Sequence, residues 1–349
     1  MRIAASHVLG WPGPAEVVVD DGRITSIDAL DSAPERTLAP GFVDVQVNGV
    51  DDIDVASASD DDWDRLDAML ERTGVTTWCP TLVTAPLDEM AARVRRVPTR
   101  ASIAGVHLEG PFLGGRPGAH PRDLLVPIDT EWLASLPDNV RLVTLAPELA
   151  GAVHAVQDLT TRGITVSLGH SAATVGEVRD CIEAGARMVT HLFNGMPALH
   201  HREPGVVGAT LTDDRVVAGL IADLVHVDPI ALEIAFRAKP GRIALVTDAV
   251  AWRGARIGRI EIVHDGRAPR LPDGTLAGSS LTMDVAIRNV VEQTNVSLEA
   301  ALVAASTTPA NLLGLHDRGR LAVGCRADLV VLDEHAVVQH VWRGGTEVA

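Results

Sequence analysis

Tyrosine is absent, and Lys239 is the only lysine in 349 residues. Aromatic side chains make up 3% of the chain, against a hydrophobic content of 46%. An interior that large and that poor in rings must be filled by Val, Ile, Leu and Ala. Such a composition suits strands buried on both faces. The scarcity of lysine beside plentiful arginine reads as a compositional bias, and no function is drawn from it. An excess of basic charge is also missing. The formal net charge is −16 and the isoelectric point about 5.2. That excludes the basic stripe of a nucleic-acid binder. An anionic substrate must be met by a local basic patch.

Cysteine is scarce too. Cys79, Cys181 and Cys325 are odd in number and show no CxxC spacing. A disulfide framework is thereby excluded, and reduced thiols in the cytoplasm are expected. No apolar run is long enough to cross a membrane. The opening segment, MRIAASHVLGWPGPAEVVVDDG, lacks the apolar stretch of a secretory signal. No GxGxxG or GxxxxGK[ST] phosphate loop follows an early strand, which removes the usual signature of a doubly wound nucleotide-binding sheet.

What is present is an alternation of strand-like and helix-like stretches. Strands are predicted over 42–48, 76–82, 103–109, 140–148, 165–170, 187–194, 216–223 and 243–249. Helical patterns lie between several of them, as in DDDWDRLDAMLERTG, LDEMAARVRR, AVHAVQDLTTRG, TVGEVRDCIEAG and PIALEIAFRA. Gly or Pro often closes them. Eight strands in βα repetition within about 210 residues is the arithmetic of an α/β protein with a (β/α)8 TIM-like barrel. The barrel is expected over 39–319. Segments 280–294 and 297–314 read as closing helices. Residues 250–275, rich in Gly and Arg, read as an insertion or active-site loop. The ends, 1–38 and 320–349, are β-rich, with Asp21-Gly22 as a hairpin turn. They are expected to pair in one small β domain.

Four of the strand-like runs end on a lone metal-capable side chain: IAGVHLE on Glu109, TVSLGH on His170, RMVTH on His191 and IALVTD on Asp248. Parallel strands deliver their C-terminal side chains to one common face. Two imidazoles and a carboxylate converging there make a divalent-metal site, and a further Asp can act as acid or base. Taken singly, each has a plainer reading: a hydrogen-bonded histidine, an ion-paired glutamate, an aspartate capping a helix. The first strand, FVDVQVN, carries Gln46 and Asn48 on one face where a His-x-His would bind a second metal. Amides are poor zinc ligands, so a single metal ion is expected.

At this point the residues resemble the amidohydrolase superfamily, and within it the N-acetylglucosamine-6-phosphate deacetylases. The resemblance rests on APGFVDVQVNG (39–49), HLEGPF (107–112), VTLAPE (143–148), SLGHSAAT (167–174), THLFNGMP (190–197), REPGVVGA (202–209), ADLVHVD (222–228), LVTDA (245–249) and DGTLAGSSLTM (273–283). These stretches run in the family's order over nearly the whole chain. The resemblance implies a barrel with a small β-sandwich domain formed by both termini. It also implies one divalent metal, zinc or iron or another such ion, on Glu109, His170 and His191, and Asp248 as the catalytic acid/base. His120 is implied near the acetamide, and Asn194 and Gly195 near the phosphate, with Gly195 standing where Ala is commoner. Leu276 and Ser279 are implied at the sugar pocket. Arg202 and His226 match phosphate-binding residues that the family supplies from the neighbouring subunit of a homodimer. Without the family, both read equally as surface residues. The chain is shorter than the longer family members around 250–272 and in the 113–122 loop, the loops that shape specificity for the sugar.

The activity so implied is hydrolysis of the N-acetyl group of N-acetylglucosamine 6-phosphate to acetate and glucosamine 6-phosphate. Two alternatives stand beside it. One is deacetylation of another N-acetyl amino sugar phosphate, such as the galactosamine epimer. The other is a non-catalytic barrel that only binds sugar phosphates.

Overall fold

A computed structural model describes residues 1–349. Eight parallel strands follow one another around a ring: β1 (Phe42–Val47), β2 (Val75–Val83), β3 (Val106–Glu109), β4 (Val140–Leu145), β5 (Thr165–Leu168), β6 (Met188–Val189), β7 (Val217–Leu220) and β8 (Ile243–Leu245). Each pairs in parallel with the next. The ring closes just past its last strand, where Asp248 N donates to Gln46 O at 3.0 Å and Asn48 N to Ala249 O at 2.8 Å. All residues of β1, β2 and β3 are buried, including the polar Asp44, Gln46, Thr77, Thr81, His107 and Glu109 that interrupt their apolar residues. The predicted barrel is therefore the observed one.

Helices cover the ring: α1 (Asp60–Glu71), α2 (Leu87–Arg96), α3 (Thr130–Ala134), α4 (Ala152–Thr161), α5 (Val175–Ala184), α6 (Gly205–Thr212), α7 (Pro229–Ala238), α8 (Met283–Gln293), α9 (Leu298–Ala305) and α10 (Thr307–Leu312). Local chemistry fixes several starts. Ser59 with Asp62, and Thr174 with Glu177, form capping boxes at α1 and α5. α3 and α6 were not anticipated. The closing segment 297–314 divides into α9 and α10 at Ser306, whose ψ of −70° follows a φ of −135°.

The barrel interior is not wholly apolar. His107 Nε2 meets Thr144 Oγ1 at 2.8 Å, Thr144 meets Thr190 Oγ1 at 2.8 Å, and Thr190 meets Ser167 Oγ at 2.5 Å. Each hydroxyl and imidazole along this hydrogen-bonded series thereby has a partner inside the barrel. Burial pushes the His107 imidazole down to about 4, so it is neutral.

Both termini build two further sheets. One holds Arg2–Ala5, Ala15–Asp20 and Arg23–Ala29. The other joins His7–Val8 and Thr37–Pro40 to Leu329–Leu332, Val338–Arg343 and Thr346–Glu347. Between them lies a separate core that includes Ile3, Val17, Ile24, Leu38, Leu329, Val331 and Trp342. Asp21 and Gly22 make the expected hairpin turn, with φ of 45° and 71°. The 250–275 segment forms two short hairpins, Arg256–Ile257 with Ile260–Glu261, and Val263–His264 with Pro269–Arg270. No helix is long and apolar enough to cross a membrane.

Candidate active site

Glu109 is the last residue of β3. His170, His191 and Asp248 lie just beyond the ends of β5, β6 and β8. All three have left-handed backbone, with φ of 49°, 28° and 49°. That region is sparsely populated by residues with a side chain and is found where surrounding structure enforces it. Here the turn at each strand end swings the side chain over the mouth of the barrel.

The strand ends converge. Glu109 Oε1 lies 3.1 Å from His170 Nε2 and 3.2 Å from His191 Nε2, and the two nitrogens are 3.1 Å apart. His170 Nδ1 faces the carbonyl oxygen of Arg116 at 3.3 Å, which assigns the ring proton to Nδ1. Nε2 then presents a lone pair to a carboxylate oxygen and to a second imidazole. A triangle of this kind has no consistent set of protons, but a cation at its centre satisfies all three atoms. Ligands about 2.0 Å from a tetrahedral ion are about 3.3 Å from one another, close to the spacing found. The donor set thus fits a divalent metal. Burial alone would raise the Glu109 carboxyl, but the bonds to His170 and His191 outweigh it and hold the group well below the ordinary range.

His120 packs edge-on to His170 with ring centroids 4.4 Å apart, and its ligand atom falls within 4.8 Å of those of Glu109 and His170. The shorter contacts of His191 make it the better third ligand. His120 Nδ1 instead pairs with Thr84 Oγ1 at 2.8 Å. Burial, then the nearby His170, pushes the His120 imidazole down to about 3, so the ring is neutral.

Gln46 and Asn48 face the site as expected, and act as donors. Asn48 Nδ2 donates to Asp248 Oδ1 at 2.7 Å, and Gln46 Nε2 to the same oxygen at 3.0 Å and to Glu109 Oε1 at 3.1 Å. The two amides clamp the carboxylates where a second metal would otherwise need ligands. Asp248 Oδ2 has no protein hydrogen bond. Burial and then the charge of Glu109 push the Asp248 carboxyl up to about 7.

These groups floor a cavity of about 220 Å³. Asn194, Gly195, His226, Thr275 and Leu276 line it further out, and Val83, Ile221, Val250, Ile257 and Ile260 give it an apolar wall. Gly195 has φ of 62°, and a Cβ there would lie 2.9 Å from His170 Nδ1. His226 reaches the cavity from its own chain, with Nδ1 bonded to Asp223 Oδ2 at 2.7 Å. The fold therefore needs no second subunit to bring His226 there.

Ser279, expected at the sugar pocket, does not line this cavity, and Arg202, expected from a neighbouring subunit, lies outside it as well. Ser279 is fully buried behind Asp248, and its Oγ donates to Thr247 O at 2.5 Å while its N–H donates to Asp248 O at 2.8 Å. It braces the strand end and has no hydroxyl proton left for a sugar. Arg202 is exposed on the loop before α6, with Nη1 2.9 Å from His201 Nε2. Other residues escaped the sequence reading. Thr84 sits one residue past β2, a strand end without a charged signal. Ile257 and Ile260 fall in a segment with no readable period. Glu148, within VTLAPE, accepts from Gly115 N at 2.9 Å, Ala172 N at 2.8 Å and Ser171 Oγ at 2.6 Å. It straps the loop bearing His120 to the turn after His170.

Fold and site define a barrel hydrolase of the metal-dependent type. The chain belongs to the amidohydrolase family, whose profile matches residues 37–348. It is 42% identical to the human N-acetylglucosamine-6-phosphate deacetylase, over 95% of this chain and 88% of that protein. It is 39% identical to an N-acetylgalactosamine-6-phosphate deacetylase of Escherichia coli O157:H7, over 96% of this chain and 95% of that one. Among solved structures, a variant of the Mycobacterium smegmatis N-acetyl-D-glucosamine-6-phosphate deacetylase in complex with N-acetyl-D-glucosamine-6-phosphate superposes with a TM-score of 0.92. It is 34% identical and covers 100% of this chain and 99% of its own.

Proposed function

We propose that this protein removes the acetyl group of N-acetylglucosamine 6-phosphate, releasing acetate and glucosamine 6-phosphate. The observation that carries the reading is the Glu109–His170–His191 triangle beside an Asp248 clamped by two amides, at the floor of a cavity with His226 further out. The named relatives support the substrate class.

Glu109, His170 and His191 would hold a divalent ion, which when bound would supply Lewis acidity for activating water and polarising the amide carbonyl. Two imidazoles and a carboxylate suit zinc, and also iron and other divalent ions. Asp248 takes the proton of the attacking water on its free Oδ2 and delivers it to the departing amine. Gln46 and Asn48 fix the carboxylate for both transfers. The Thr84 hydroxyl donates to His120 Nδ1, which leaves the Nε2–H of the neutral ring to donate to the developing oxyanion. Asn194, the Gly195 backbone and His226 receive the phosphate. Arg202 adds to it from a second copy of the chain in a homodimer. Phosphate held this far from the acetamide orients the reacting bond. The three cysteines are buried and unpaired, which suits a reducing cytoplasm.

The galactosamine epimer is the second reading, favoured by the likeness to the E. coli O157:H7 relative. Acetate release from the two epimers, measured side by side with elemental analysis of the protein, tests both. The expected result is faster turnover of the glucosamine epimer. A higher kcat/KM for the galactosamine epimer would overturn the assignment. Bound metal with no hydrolysis of either would leave a sugar-phosphate-binding barrel.

A further inference from the structure

Away from the active site, four arginines meet in one cleft. Arg93 and Arg96 come from the last turn of α2, and Arg256 and Arg259 from the first hairpin of the 250–275 segment. With Asp54 and Glu89 they line a cavity of about 530 Å³. On a chain of net charge −16, a local excess of cations stands out.

The two carboxylates do not balance the four guanidinium groups. Glu89 is shared between Arg93 and Arg259, the latter at 2.7 Å. Asp54 spends its oxygens on the backbone, accepting from Ala56 N at 3.0 Å and Gly258 N at 2.7 Å. Arg96 has only the Ala56 carbonyl, at 3.1 Å. Arg256 forms no ion pair, and the buried Nη1 of Arg93 has no partner. Like charges gathered this way leave a positive potential that an anion relieves. Guanidinium forks match phosphoryl oxygens in pairs.

The hairpin joins this cleft to the active site. Ile257 and Ile260 are cross-strand partners and line the catalytic cavity. Arg256, Gly258 and Arg259 line the arginine cleft. Neighbouring residues of a hairpin face opposite sides, so one element has a face in each cavity. Its tip is tightly seated: a Cβ on Gly258 would lie 3.2 Å from Arg93 Nη1.

We propose that the arginine cleft is a second anion site, distinct from the substrate cavity, that binds a phosphoryl group and transmits its occupancy to the catalytic cavity through the 256–261 hairpin. The phosphoryl group comes either as free phosphate or on a phosphomonoester such as the sugar phosphate product.

Calorimetric titration of the metal-loaded protein with inorganic phosphate, at constant ionic strength, tests the site without any turnover. The wild type should bind two equivalents per chain. The Arg96→Ala/Arg256→Ala protein should bind one, with the second weakened at least tenfold, while Arg96→Lys/Arg256→Lys should bind more of it than the alanine pair. Equal stoichiometry in wild type and alanine pair overturns the site, whether or not the protein proves to be a deacetylase. Steady-state kinetics then test the coupling. Added phosphate should change kcat in the wild type and act only as a competitor in the alanine pair, whose kcat without phosphate is unchanged. Purely competitive behaviour in both overturns the coupling. A larger kcat effect from glucosamine 6-phosphate than from phosphate identifies the sugar phosphate as the source; equal effects identify the free ion.

Discussion

Asp248 is the residue on which the proposed reaction turns, and its neighbours explain how it can carry a proton both ways. One oxygen is held by Asn48 and Gln46 at 2.7 and 3.0 Å, so the other alone exchanges protons. Asp248→Asn should keep the Glu109–His170–His191 ion at full occupancy and lose about 10²–10⁴-fold in kcat, the usual worth of a positioned acid/base. Full metal content with near-normal kcat would remove Asp248 from the proton path. A second aspartate titrates for a structural reason. Asp44 is buried under the barrel mouth, and burial pushes its carboxyl up to about 7, against bonds from Thr247 and the Gln46 N–H. The folded value lies above the unfolded one. Its contribution to stability is therefore complete below about 4 and is lost as pH rises through about 7. Asp44→Asn mimics the protonated form. Its melting temperature relative to wild type should rise between pH 5 and pH 8, by an amount on the order of 1–3 kcal/mol in unfolding free energy. A difference that stays flat over that range would show that Asp44 remains ionised in the fold. At this scale the sequence was most legible where an isolated charge ended an apolar run. Ser279 was expected at the sugar pocket because a hydroxyl in a loop carries no sign of which way it points, and the fold turns it behind Asp248 instead.

Strand ends and the loops after them form the working element of this site, and Glu148 shows how two of those loops are tied. Its carboxylate accepts from Gly115, Ala172 and the Ser171 hydroxyl. Removing it leaves three donors to find water, at about 1–3 kcal/mol for any that stays buried. Glu148→Ala should speed hydrogen exchange in 113–120 and 171–174 and lower kcat/KM about tenfold, since His120 and His170 sit on those loops. Glu148→Gln, which keeps one acceptor oxygen, should be milder. Unchanged exchange in Glu148→Ala would mean the loops are held by other contacts. The eight strands were legible because each buried stretch is enriched in Val, Ile and Leu and recurs in βα alternation, even where single polar residues interrupt it. α1 and α5 were legible from their capping residues and amphipathic spacing. α6 was not: GVVGATLT holds two glycines and no polar face, and it is helical because it packs Val206, Val207 and Ala209 into the core. The two hairpins of 250–275 were missed because each strand is two residues long, too short for any period to show.

Across the whole molecule, three of the nine exposed large apolar residues fall on α7 and on the loop before α6. Ile230 and Ile234 lie one turn apart on α7 and are 72% and 50% exposed, and Leu199, on the loop that carries Arg202, is 53% exposed. A helix face with two bare isoleucines invites burial against another surface. Arg202 lies outside its own cavity, which fits a side chain that serves a neighbour's. An isologous dimer would place the same patch on both copies and exchange the two arginines. Ile230→Asp/Ile234→Asp should then sediment as a monomer and raise KM far more than it lowers kcat. Mixing supplies the sharper measurement. Arg202→Ala and Asp248→Asn proteins are each impaired at every site. Co-refolded in equal amounts, half of their dimers are hybrids, and each hybrid holds one site with both residues intact. Activity at low substrate should recover to about a quarter of wild type under random pairing. If Arg202 serves its own chain, every hybrid site still lacks one residue, and the mixture shows no more than the mean of its two parents.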